Sequence, residues 1–185
     1  MEFKPLNKSA QEELLSIARF SITSYVLDGK IPLFEAKEPA LSERRGVFVT
    51  IISRGNLRGC IGQHESDIPL CQLTAQMAVA AACDDPRFPP VMKEEFGEIK
   101  IKISVYLMPP TKIKNINEFE IGRDGVIIKK DDYSATYLPE VALEQGWGRQ
   151  EMLSNLCLKA GLAPDAWQEE IELFIYRTQM LEEQF

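Results

Sequence analysis

The sequence predicts an α+β fold in which an antiparallel sheet carries its helices on one side, a two-layer sandwich. Three observations predict it. Helical and strand periodicities both occur, without the regular βαβ rhythm of a parallel sheet. Turn-bearing segments at Arg54-Gly55-Asn56 and Asp131-Asp132 separate strand-like runs and imply hairpins, hence antiparallel pairing. From Ile99 to Leu107 apolar and polar residues alternate, which marks a strand with one buried and one wet face.

Each element follows from local chemistry. Ser9 with Glu12 fits a capping box, and Leu14, Leu15, Ala18, Ile22, Tyr25 and Val26 recur at helical spacing until Asp28-Gly29 stops the helix. Residues 30–45 hold two prolines and little periodicity, so a long surface loop is expected. Gly46 to Ser53 is β-branched and apolar, a buried strand. The hexapeptide Leu57-Arg58-Gly59-Cys60-Ile61-Gly62 follows as a second strand or as the continuation of the first. Pro69 to Cys83 reads as a helix whose alanines allow close packing on a sheet, broken by Asp85-Pro86-Arg87-Phe88-Pro89-Pro90. Pro109-Pro110 is expected to end the alternating strand. Gly125–Lys130 and Tyr133–Leu138 form a hairpin. Pro139–Gln145 and Gln150–Ala160 are short helices stopped by Gly146 and Gly161, and Ile171–Met180 is a final strand. No internal repeat or flexible linker divides the chain, so any two lobes must be intertwined within a single domain spanning 1–185.

Composition bounds the function. The 185 residues are 45% hydrophobic and 26% charged, which suits a globular chain with a real core. Lys and Arg number 21 against 28 Asp and Glu, a formal charge of −7 that repels phosphate backbones and argues against nucleic acid as a partner. The charge is uneven: Leu41–Gly62 carries a net +3 and Asp165–Phe185 a net −5. Such a distribution fits two solvated faces, or a positive rim that draws an anionic ligand to the hexapeptide. No apolar run approaches the ~18 residues a membrane span needs, and no export signal opens the chain. Four cysteines without a C-x-x-C pair make a reduced, cytoplasmic protein the expectation. One histidine cannot build a three-histidine zinc site, and the G-x-G-x-x-G, G-x-S-x-G and H-E-x-x-H patterns are absent. No metal and no cofactor is therefore assigned to this chain.

The candidate chemistry centres on Cys60. If the hexapeptide is a regular strand, Arg58 shares a face with Cys60 about 7 Å away and can favour its thiolate. Cys60 is then a nucleophile or redox thiol; the competing reading is a small, inert residue packed in a glycine-rich turn. His64, the sole histidine, serves as a base toward Cys60 only if the chain bends at Gly62. Gly55, Gly59 and Gly62 surround an arginine-bearing turn whose amides can form an anion nest. Arg87 sits in a proline frame, available either to a ligand or to Asp85, with Phe88 then in the core. Cys71, Cys83 and Cys157 read as core residues.

The hexapeptide and its surroundings resemble the AMMECR family, which includes the A proteins of the AmmeMemoRadiSam system. Arg45-Gly46-Val47-Phe48-Val49-Thr50, Asp85-Pro86-Arg87-Phe88-Pro89-Pro90, Ile103-Ser104-Val105, Gly122-Arg123-Asp124-Gly125, Leu138-Pro139-Glu140-Val141, Gly146-Trp147 and Lys159-Ala160-Gly161-Leu162 carry the likeness across nearly the whole chain. The resemblance implies two interlocked lobes with the hexapeptide at their junction. It also implies two companions: a Memo-like protein and a radical S-adenosylmethionine (radical SAM) enzyme. In that setting the chain is either an enzyme component that holds an anionic small molecule at Cys60, Arg58 and Arg87, or a non-catalytic module that docks those companions. Two departures stand out. Gln63-His64 follows the hexapeptide, and Tyr133-Ser134-Ala135 replaces a glycine-containing turn.

Overall fold

Helix α1 (Lys8–Asp28) opens the computed structural model, which describes residues 2–184. Its N-cap is Asn7, two residues before the predicted capping box: the Asn7 side chain accepts from the Ala10 amide at 2.8 Å, so Ser9 lies inside the helix. Gly29 ends it in the left-handed conformation at φ 68°, as the Asp28-Gly29 signal predicts. The other α-helices and strands are β1 (Val47–Ser53), β2 (Asn56–Gln63), α2 (Leu70–Cys83), β3 (Ile99–Ile113), β4 (Gly125–Lys130), β5 (Tyr133–Tyr137), α3 (Pro139–Gln145), α4 (Arg149–Lys159) and β6 (Glu172–Glu182). The fold is mixed α+β. Its six-stranded sheet runs in the order β2-β1-β3-β6-β4-β5, and β1–β2, β1–β3, β4–β5 and β4–β6 all pair antiparallel.

The chain forms two compact units that interleave in sequence. One comprises Lys4–Tyr106 and Gln179–Phe185; the other comprises Met1–Phe3 and Leu107–Thr178. In the first, α1 packs on α2, and α2 packs on β1 and β2. Val47, Val49 and Ile51 of β1 and Ile99, Ile101, Ile103 and Val105 of β3 are fully buried in this core. The returning segment is tied down by Arg19, which donates to Glu183 and to the carbonyls of Phe96 and Ile99, while Glu183 also accepts from the Ile101 amide at 2.9 Å.

The opposite face of β3 differs from the prediction. Lys100 and Lys102 are partly exposed, but Ser104 and Tyr106 are buried. Tyr106 goes inward because its phenol meets the His64 ring and its ring stacks with Phe48 at 6.4 Å between centroids. Nor does Pro109-Pro110 end the strand: β3 continues to Ile113. Proline lacks a donor but its fixed φ is compatible with extended chain, so the pair forfeits ladder donation without forcing a turn.

In the second unit, α4 packs on β5 and α3 on β4. Phe119, Val126, Ile128, Met152, Leu153 and Leu156 build its core. The Asp131-Asp132 hairpin is present, with Asp131 at φ 52°. Asp124 is fully buried and holds three neighbours at once: Arg177 donates at 2.8 Å, Arg123 at 2.6 Å and the Glu120 amide at 2.9 Å. Burial pushes its carboxyl up, but the two guanidinium bonds pull it down further, so it titrates below the ordinary range.

Candidate functional site

Strand β2 is positioned by a missing side chain. A Cβ on Gly59 would lie 2.0 Å from the Ala81 carbonyl of α2, so only glycine lets strand and helix approach this closely. Gly62 meets a similar constraint on β1, where a Cβ would fall 2.3 Å from the Phe48 ring. Both glycines therefore set backbone spacing around Cys60.

The strand is not regular. Ile51 pairs with Gly59 but Ile52 pairs with Leu57, so Arg58 is the extra residue of a β-bulge. The i, i+2 geometry expected for Arg58 and Cys60 does not survive that insertion. The Arg58 guanidinium, largely buried, instead donates to Glu95 at 2.8 and 3.1 Å and to the carbonyls of Pro89 and Pro90 at 2.8 and 3.3 Å. This ion pair draws Glu95 below its usual range. Arg58 is thus a strut between β2 and the proline segment.

Arg87 takes the place beside Cys60 that the sequence reading gave to Arg58. Its Nε and Nη2 grip Asp85 at 2.9 and 2.7 Å, and its own amide donates to the same carboxylate at 3.1 Å. Nη2 also reaches the Cys60 carbonyl at 3.3 Å, while the Cys60 amide donates to Asp85 at 2.9 Å. Asp85 and Arg87 therefore satisfy both backbone groups of Cys60, acting like a rung of a neighbouring strand. The Arg87 hydrogen bond holds the Asp85 carboxyl far below the usual carboxylate range, despite burial. Asp85 correspondingly raises the Arg87 guanidinium, with a smaller contribution from Cys60. Half of the Arg87 side chain remains exposed, and its Nη1 has no partner among the described residues. Its guanidinium lies 5.5 Å from the centroid of Phe88, which is half-buried rather than sealed in the core.

Cys60 as a residue is partly exposed, and its thiol lies 3.1 Å from the hydroxyl of Thr50, its cross-strand partner on β1. A hydroxyl at that distance can donate to a thiolate. His64 goes elsewhere: its Nδ1 meets the Tyr106 phenol and its ring packs edge-on against Phe48 at 5.2 Å. The structure thus brings together Cys60, Thr50, Asp85 and Arg87. It places Arg58 and His64 in contacts of their own. Asp85's grip on the Cys60 amide and the role of Thr50 escaped the sequence reading, because both depend on strand register.

The other cysteines contrast with Cys60. Cys71 and Cys157 are buried as expected, and burial pushes both thiols up. Cys83 departs from its expected core position. It is partly exposed and lines a groove of ≈ 480 Å³ with Tyr25, Val26 and Val91, although burial and then Asp84 push its thiol up. Among the described residues, no group of three or more His, Cys, Asp or Glu is arranged to hold a metal ion, and no helix is long and apolar enough to cross a membrane.

Known proteins resemble this chain over most of its length. The family model described as AMMECR1 matches residues 15–181. Protein MK0488 of Methanopyrus kandleri is 42% identical over 185 residues, covering 94% of this chain and 88% of its own length. Protein PF1979 of Pyrococcus furiosus is 40% identical over 187 residues, covering 94% and 88%. The crystal structure of uncharacterized protein PH0010 from Pyrococcus horikoshii superposes with a TM-score of 0.92 at 36% identity, covering 97% of this chain and 94% of that one.

Proposed function

The chain belongs to the AMMECR1 family, and from the geometry around Cys60 we propose that it binds an anionic small molecule through Arg87 and presents the Cys60 thiol to it as a nucleophile or redox group. The observation that carries this reading is the uncommitted Nη1 of a half-exposed Arg87 side chain, fixed by Asp85 against the backbone of the partly exposed Cys60. A guanidinium locked by a buried carboxylate loses little freedom when it takes a second anion, so its ordering cost is met before the ligand arrives. Arg87 replaces Arg58 as the anchor in this proposal. Thr50 supplies a hydroxyl that stabilises charge on sulfur. The glycines of the hexapeptide keep side chains out of the approach.

Reaction of the folded protein with N-ethylmaleimide, mapped by peptide mass spectrometry, tests the exposure this reading requires. Cys60 is expected to be modified while Cys71 and Cys157 remain intact. Modification of Cys60 only after unfolding overturns the reading.

A second reading is favoured by the structural employment of Arg58, Asp85 and Arg87, which together fasten the edge of β2. In it the chain is a non-catalytic module that docks a Memo-like protein and a radical SAM enzyme, and Cys60 is part of the fastening. Co-purification with those companions separates the two. Retention of both partners and of the pathway's output by a Cys60→Ala variant supports the module, whereas loss of output with partners retained supports the thiol.

A further inference from the structure

Strand β2 stands at the end of the sheet order, so one of its edges is not paired with another strand. The register tells which residues face that edge. The Tyr106 amide donates to the Gly46 carbonyl at 3.1 Å, so Gly46 turns its backbone groups toward β3. In an antiparallel ladder every second residue does the same, so Phe48 and Thr50 also spend theirs on β3. Their β2 partners, Gly62 and Cys60, are then left with N–H and C=O groups pointing outward. Cys60 has these satisfied by Asp85 and Arg87. Gly62 does not: among the described residues nothing pairs with its outward N–H and C=O. The segment that follows α2 runs alongside β2 only from Cys60 back to Arg58, where Pro89 and Pro90 are engaged. Natural proteins blunt strand edges with charge, proline or cover. Here that protection stops one outward residue short.

We infer that Gly62 and Arg87 together form a recognition site for the C-terminal end of an extended peptide, added antiparallel to the edge of β2. The peptide residue opposite Gly62 exchanges both backbone hydrogen bonds with it, as in strand addition. Antiparallel addition fixes polarity: moving toward the peptide's C-terminus means moving from Gly62 back toward Cys60. Those two positions are about 7 Å apart along the strand, the reach of one further residue and its carboxylate. That carboxylate arrives at Arg87, whose Nη1 is uncommitted and whose side chain is half exposed. Parallel addition would carry the carboxylate away from Arg87. Glycine at 62 adds no side chain to obstruct the approach. The inference rests on the reading of Arg87 as an anion anchor, and narrows its ligand from any small anion to a peptide terminus; it requires no reaction at Cys60.

Amide-resolved NMR of the unmodified protein tests it. In the free protein the Gly62 amide should exchange with solvent faster than those of Ile61 and Cys60. Titration with N-acetyl-trialanine bearing a free carboxylate should shift the Gly62 signal saturably and slow its exchange. Amidating the C-terminus, or N-methylating the central residue, should each weaken binding about tenfold or more, the effect expected for a charge-assisted bond or a blocked strand pairing. A Gly62 signal unmoved by tens of millimolar peptide overturns the inference. So does an equal response to acetate alone, which reduces the site to a small-anion contact. Because no thiol chemistry is read, an unreactive Cys60 leaves this result intact, and failure here leaves the maleimide result intact.

Discussion

Asp85 is the residue on which the geometry of Cys60 turns. Its side chain is almost fully buried, accepts from the Cys60 amide and fixes the Arg87 fork. Asp85→Asn keeps the shape but removes the charge, leaving Arg87 without its anion; a loss of about 2 kcal/mol is expected from urea unfolding, the range of one hydrogen bond to a charged group. The pH dependence has a definite sign. A carboxyl whose folded value is depressed is ionised in the folded state while the unfolded chain takes up protons, so its contribution is present in full above the unfolded value of about 3.9 and is lost as pH falls through and below that value. Stability should therefore decline on acidification below about pH 5, and less steeply in Asp85→Asn, as thermal melts across pH would show. Gly59 gives a second test at this scale. Gly59→Ala drives a methyl into the Ala81 carbonyl and should cost about 1–3 kcal/mol by forcing β2 off α2. Cys60 and Arg87 were legible from the sequence as residue types in a suggestive frame. Their partnership was not, because a carboxylate 25 positions away closes it.

At the level of elements, the turns were the most legible features, since glycine and aspartate at hairpin tips act through local backbone energy. Arg54-Gly55 is a tip with both residues at positive φ, 50° and 79°. Gly55→Ala meets no steric neighbour, so its cost is backbone strain alone, about 1–2 kcal/mol. Gly97→Ala has equally open surroundings without the left-handed conformation and should be neutral or stabilising by up to about 1 kcal/mol; matched chemical denaturation of the two variants checks the contrast. The bulge at Arg58 was illegible for the opposite reason. A one-residue insertion leaves no mark in a six-residue strand pattern, yet it moves the guanidinium from the thiol to Glu95. The buried face of Tyr106 and the continuation of β3 past Pro110 were missed because tertiary neighbours overrode local alternation and local breaking. The two short α-helices that end before Gly146 and Gly161 are legible within a residue or two, as expected where caps set the boundary.

The whole molecule is a chain that leaves its first unit at Tyr106 and returns to it at Gln179. The return is secured by Leu181 in the core and by Glu183, which accepts from Arg19 and from the Ile101 amide. Glu183→Gln should destabilise the Lys4–Tyr106 unit by about 1–3 kcal/mol and raise hydrogen exchange in α1 and the start of β3, with little change at the Asp131-Asp132 hairpin. The order of the strands, β2-β1-β3-β6-β4-β5, is not legible in the sequence, because strand order is a property of long-range pairing that periodicity does not encode. The central claim is that an anion is drawn to Cys60 by Arg87. Competitive alkylation with iodoacetate and iodoacetamide tests it most directly, because the two reagents differ in charge at the same reactive carbon. The account predicts an iodoacetate-to-iodoacetamide rate ratio at Cys60 several-fold above that of a free thiol, falling to the free-thiol value in Arg87→Gln. A ratio at Cys60 equal to or below that of a free thiol in the wild-type protein would contradict it.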